Sequence, residues 1–144
     1  MAWNLKKPDY KLADEPARAQ VALILEHYQI DTADIPDKKQ RGSTEAALEK
    51  LVGYVRQGMI EVCESPFKII QHLKHPPGNV ATIEYPELQG KHKVAMDARP
   101  TEEIYARIYE LMGSLSGLGS TAFSAIQGVD LSAVECLGLL FLSA

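Results

Sequence analysis

Almost nothing in this sequence carries recognisable chemistry. There are two cysteines and one tryptophan in 144 residues, and neither C-x-x-C nor H-E-x-x-H spacing occurs. That scarcity excludes a disulfide scaffold and a standard zinc motif. Cys63 and Cys136 sit among apolar neighbours and are expected to be free buried thiols of a reducing cytosol. Neither sign of charge dominates: net charge is −4 and the pI about 5.5, which argues against nucleic acid as a partner. The short basic clusters Lys38, Lys39, Arg41 and Lys91, His92, Lys93 are flanked by acids and read as solvated loops. No apolar run is long enough for a membrane span. Residues 131–144 as a helix would run about 21 Å against a hydrocarbon core of about 30 Å, and Asp130 and Glu135 weaken that idea further. The first residues carry lysines but no apolar stretch, so no signal peptide is expected and the expected location is cytoplasmic.

What is present is the composition of one ordinary domain, 46% hydrophobic and 24% charged, with a mean hydropathy of −0.13. Its length suffices for a core without staples. The most informative stretch is 131–144, LSAVECLGLLFLSA. Leu139, Leu140, Phe141 and Leu142 are adjacent, so a helix would point them around most of its circumference, and such a helix is normally buried on every side. A central core helix, a surface docked on another subunit and a piece of something longer all satisfy that demand.

The chain reads as a single α+β domain: N-terminal helices, a small antiparallel sheet, C-terminal helices. Residues 1–14 look like an extended arm in which Trp3, Leu5, Tyr10 and Leu12 could each bury something. Residues 15–59 read as helical. Asp14, Glu15 and Pro16 suit a helix start, and Val21, Ile24, Leu25 and Tyr28 follow at helical spacing. A polar loop is expected over 31–42. A second helix then starts at Ser43 or Thr44, with Leu48, Leu51, Val52, Val55 and Met59 on one face and Gly58 as terminator. From 60 to 97 the period changes to two, predicting three or four antiparallel strands, the last over 91–96. Residues 101–144 read as helical again. Thr101 is the expected cap, Ile104, Ile108, Leu111, Leu115 and Leu118 share a face, and Gly113 is expected to end or kink the helix. A short helical segment around 122–126 and a last helix capped by Ser132 and Glu135 complete the expectation.

Candidate chemistry is thin. Cys63, His72, His75 and His92 all fall in the strand region and are the residue types that ligate zinc. But His72 and His75 would lie on opposite faces of a strand, and a Cys63–His72 nucleophile pair would need a lowered thiol pKa and an oxyanion hole. The glycine-rich run at 113–120 has no lysine and follows a helix, unlike a phosphate-binding loop. No cofactor and no metal are expected, and catalysis is disfavoured. The surplus of apolar residues on two helices, 104–118 and 131–142, instead suggests an interaction surface built from Ile104, Ile108, Leu111, Leu115, Leu137, Leu140 and Phe141. The alternatives are a small enzyme or metal-binding protein using Cys63, His72, His75 and His92, and a regulatory or scaffold subunit lending its last helix to another protein.

From Phe67 onward the segments HPPGNVATIEYPELQGKHKVAMDARPTEEIYARI and VDLSAVECLGLLFL resemble, in their order of parts, a bacteriophage or prophage tail assembly chaperone. Those proteins have a strand pair, an R-P-T-like helix start, two or three helices and an apolar terminal stretch. The resemblance covers about half the chain. It implies a non-catalytic role in coating a long tape-measure protein while self-associating. The expected partners are therefore a protein and further copies of this chain, with no nucleic acid and no membrane.

Overall fold

A computed structural model describes Trp3 and residues 6–144. Its order is two helices, three strands and four helices: α1 (Asp14–Tyr28), α2 (Lys38–Arg56), β1 (Ile60–Glu64), β2 (Phe67–His72), β3 (Thr82–Tyr85), α3 (Gly90–Ala95), α4 (Ile104–Ser116), α5 (Ser120–Phe123) and α6 (Gly128–Leu142). This is the expected α+β arrangement. Helices stand at both ends of a small antiparallel sheet ordered β1-β2-β3.

The N-terminal part follows its local signals with one shift. α1 carries Asp14 and Glu15 in its first turn and buries Ala17, Val21 and Ile24. α2 starts five residues before Ser43: Asp37, just after Pro36, is its N-cap, and the carboxylate accepts from the Lys39 and Gln40 amides at 2.9 and 3.3 Å. Thr44, an expected cap, is buried mid-helix and donates its hydroxyl to the Gln40 carbonyl at 3.0 Å. Such back-bonding is the usual fate of a threonine inside a helix. Beyond the helix Gly58 adopts φ +78°, a conformation that favours glycine. Residues 6–13 form no regular element. They cover the end of α2: the Lys11 and Leu12 amides donate to the Arg56 carbonyl at 2.7 and 3.1 Å, and the Arg56 guanidinium lies 3.9 Å from the Tyr10 ring centroid. Trp3 is 87% exposed, and Leu5 lies outside the described residues.

Strands β1 and β2 meet at the Ser65-Pro66 turn with Ile60 opposite Gln71 and Cys63 opposite Lys68. β3 sets Ile83 opposite Gln71 and Tyr85 opposite Ile69. The period-two pattern places Ile60, Ile69, Gln71, Ile83 and Tyr85 in the core. The His72–Glu61 contact (3.1 Å) and the Lys68–Glu84 ion pair (3.0 Å) lie on the other face. The expected last strand over 91–96 is instead α3 followed by a 3₁₀ turn at Met96–Ala98. His92 and Met96 are buried and Val94 is 65% exposed, so the burial has the four-residue spacing of a helix.

The C-terminal helices correct three local expectations. Thr101 does not cap α4, which begins at Ile104 after an N-cap Glu103 that makes no side-chain cap bond. Gly113 neither ends nor kinks the helix; α4 continues to Ser116 and stops at Gly117, φ +77°. Gly113 is there for room, since a Cβ on it would stand 2.5 Å from the Gly119 carbonyl carbon. Ser132 and Glu135 form no capping box, because α6 starts at Gly128. The Ser132 hydroxyl pairs with the Tyr54 hydroxyl at 2.7 Å. The first-turn acid of α6, Asp130, is fully buried and accepts from the Lys74 and His75 amides at 2.9 and 2.8 Å. It pins the chain after β2 to the start of the last helix.

α6 is the centre of the core. It packs against α2 and α4, and Phe141 meets the Tyr28 and Tyr85 rings at centroid distances of 5.8 and 6.5 Å. Gly138 faces Ile108 so closely that a Cβ there would overlap the isoleucine γ-methyl and lie 3.1 Å from Cγ1. Beneath these rings a polar link crosses the core. Gln71 donates to the Asp130 carbonyl at 2.9 Å and accepts from the Tyr85 hydroxyl at 2.7 Å.

Candidate functional site

Six of the seven expected partner-binding residues are not available to a partner. Ile108, Leu111 and Leu137 are 0% exposed, Leu140 and Phe141 1%, and Leu115 2%. This corrects the expectation that the C-terminal apolar residues lack shelter in a single copy. α2 and α4 flank α6, and the sheet contributes Tyr85 against Phe141. Burying each of those side chains is worth about 1.5–3 kcal/mol, so exposing the stripe to reach a partner would cost most of a small domain's stability, about 5–15 kcal/mol. Only Ile104, 43% exposed, stands at the surface.

Ile104 opens onto a groove of about 600 Å³ between α2, the first turns of α4 and the middle of α6. Three different local rules build it. On α2, Lys39, Ser43, Ala46 and Lys50 recur at spacings of three and four, one face of a helix, and the small Ser43, Ala46 and Ala47 leave the hollow. On α4, Ile104 and Tyr105 form a lip and Ile108 lies at the floor. On α6, Ser132, Glu135, Cys136 and Leu139 form the far wall. Tyr105 is 59% exposed, an unusual state for an aromatic beside an apolar floor.

Burial raises the Glu135 carboxyl above its ordinary value, with Lys50 pulling it partly back. Burial likewise raises the Cys136 thiol, which holds it as a poor nucleophile. Burial, with Glu135 and Tyr105 behind it, raises the Tyr109 phenol. Lys39 and Lys50 make no ion pair among the described residues.

The Cys/His set does not assemble. Cys63 sits opposite Lys68, four residues from His72 along β2, a strand distance of about 13 Å. His72 is paired with Glu61, and the His75 amide is tied to Asp130. His92 is buried in α3, where its Nδ1 accepts from the Gln89 amide at 2.9 Å; burial and the neighbouring Lys91 lower its pKa. Among the described residues no three His, Cys, Asp or Glu side chains are disposed to hold a metal ion, and no helix is long and apolar enough to cross a membrane. No protein-family model, curated protein or solved structure matches this chain.

Sequence reasoning missed Tyr105, Lys39, Lys50 and Leu139. The adjacent pair Ile104–Tyr105 carried no signal of its own, since adjacent apolar pairs such as Leu51–Val52 and Leu140–Phe141 are both buried.

Proposed function

We propose that the chain is a non-catalytic assembly protein that receives a helical, apolar segment of a protein partner in the groove between α2, α4 and α6. The observation that carries this reading is the exposed Ile104–Tyr105 lip over an apolar floor. Interfaces use exposed aromatics of this kind as anchors, set in a patch with a polar rim. The α2 face from Lys39 to Lys50 runs about 16 Å, the length of three helical turns. A helix-in-groove partner reads as apolar anchors at i, i+3 or i+4 and i+7, which fits that length. The tail assembly chaperone layout supplies the class of partner, a long helical tape-measure protein, together with self-association in a cytoplasmic setting. Under this reading the surface that serves the partner is the rim of the C-terminal helices, and their apolar stripe holds the fold.

A random peptide library panned against the whole protein tests the proposal. Enriched sequences should carry the helical anchor spacing, and they should be lost when Tyr105→Glu replaces the protein on the beads. Enrichment without that spacing, or enrichment indifferent to Tyr105→Glu, would overturn it. The chaperone role adds a second readout: co-expression should keep a tape-measure-type protein soluble with the unmodified chain and lose that effect with Tyr105→Glu.

A further inference from the structure

The sheet has two edges, and the fold treats them differently. The ladder fixes which groups point outward. The Leu73 amide donates to the Ala81 carbonyl at 2.9 Å and the His72 amide to the Met59 carbonyl at 2.7 Å. Odd-numbered residues of β2 therefore bond toward β3 and even-numbered ones toward β1, as an antiparallel ladder alternates. The main-chain groups of Ile83 and Tyr85 then face β2, while those of Thr82 and Glu84 face away from the sheet. On the β1 edge the outward Val62 amide is taken by the Gln20 side chain at 3.3 Å. On the β3 edge the amides and carbonyls of Thr82 and Glu84 have no protein partner among the described residues, and both residues are exposed.

Beside that edge lies a hollow of about 200 Å³ whose lining carries no charged side chain. Ile83, Val80 and Leu73 form the sheet side, and Leu118, Ala122 and Ile126 the helical side. It has room for several waters, yet its lining offers them almost no polar group. Leu118 at its mouth is 43% exposed.

We propose that the β3 edge and this hollow form a second binding site, distinct from the α2–α4–α6 groove, for an extended peptide segment of a partner protein that adds as a fourth antiparallel strand and seats one large apolar side chain in the hollow. The geometry follows from the register. A guest strand would bond to the outward groups of Thr82 and Glu84, which leaves Ile83 between them in a non-hydrogen-bonded pair. The guest side chain opposite Ile83 then sits about 4.5–5.5 Å away on the core side, where the hollow is. Main-chain bonds supply affinity and the pocket supplies selectivity, as in other strand-addition sites. Charge restricts the flanking residues. The guest residue opposite Glu84 lies on the polar face beside a carboxylate paired, among the described residues, with Lys68 alone at 3.0 Å, so a basic or neutral residue is accepted there and an acidic one repelled.

The test uses isotope-labelled full-length protein and a panel of peptides of about nine residues, alternating Thr and Lys around a central Leu, Ile, Phe or Trp. At least one peptide should shift the Thr82 and Glu84 amide resonances and slow their hydrogen exchange. Binding should weaken about tenfold or more in three cases: the central residue becomes Ala, the peptide amides that face β3 are N-methylated, or the hollow is filled by Ala122→Phe. Thr82→Pro, a change an edge strand tolerates, should also weaken it. The peptide changes keep the test decisive if either protein variant fails to fold. No shift at β3 with any peptide at millimolar concentration would overturn the proposal. So would shifts confined to Tyr105 and Leu139, or binding indifferent to N-methylation.

Discussion

Replacing Gly138 with alanine should destabilise the protein although alanine is the better helix former. In isolation the change favours a helix by about 0.5–1 kcal/mol. Here the new Cβ would overlap the γ-methyl of Ile108, a residue with no exposed surface, between two packed helices. Overpacking a core by one carbon typically costs about 1–3 kcal/mol, and the depth of this overlap puts the expected cost at the top of that range. The net loss is then about 2 kcal/mol, or a fall in Tm of roughly 4–8 °C for a chain of this size. Urea unfolding followed by circular dichroism measures it. The decisive background is Ile108→Ala, which removes the methyl and leaves only the isoleucine Cβ position, 3.3 Å from the new carbon. There Gly138→Ala should cost almost nothing, giving a coupling energy of about 2 kcal/mol between the sites. A Gly138→Ala protein as stable as the parent, or a penalty unchanged in the Ile108→Ala background, would refute the claim that α4 and α6 cross in direct contact inside one chain.

Other consequences are measurable separately. Asp130→Ala leaves the Lys74 and His75 amides without their acceptor in a buried setting and should cost about 2–4 kcal/mol, with hydrogen exchange at those two amides accelerating beyond the global change. Gln71→Leu removes the link from the Tyr85 hydroxyl to the Asp130 carbonyl and should cost about 1–3 kcal/mol, read by urea unfolding; a neutral result would show that the link contributes nothing net. Burial raises the Glu135 carboxyl above its unfolded value, so its favourable contribution is complete below about pH 4.5 and is lost as pH rises through the folded pKa. Glu135→Gln should therefore gain Tm relative to the parent between pH 4 and pH 7, and a constant difference across that range would contradict the assignment. Cys63 should react with iodoacetamide in the native protein well before Cys136, which is 6% exposed and has a raised pKa; equal rates would contradict that placement.

Where the local physics was one-sided, the sequence was legible. Val21 and Ile24 on α1 and Leu51, Val52 and Val55 on α2 are buried as their spacing requires, and the Ser65-Pro66 turn separates two strands whose alternation was plain. Residues 91–96 misled because alternation of Lys91, Lys93 and Ala95 with His92, Val94 and Met96 imitates a strand. What decides the outcome is that only His92 and Met96 find cover, and a helix places that pair on one side. The early start of α2 was hidden behind Gly42, although Pro36 and Asp37 together were the marks of a capped helix start. The sheet-facing role of Asp130 had no sequence signal, since its partners are main-chain amides more than fifty positions away.

The larger misjudgement concerned what an apolar stripe is for. Periodicity reports that a face must be covered; it does not report whether the cover comes from the same chain. Ile104, Ile108, Leu111 and Leu115 form one continuous stripe on paper, yet exposure falls from 43% at Ile104 to 0% at Ile108 and Leu111 within two turns. The break comes where α4 leaves the shelter of α6. At Gly138 the two helices are close enough to exclude a methyl group, and one turn earlier on α4 they have parted enough to leave the groove. An uncovered surface therefore arises at the end of the stripe, because helices that cross at an angle can share a core over only part of their length. The same argument applies to the hairpin, where β2 spends both of its edges inside the sheet and β3 spends one. In each case a group is left over at the margin of the packing, Tyr105 at the helices and the outward amides at the strand, and the two proposals rest on those groups because using them leaves the core intact.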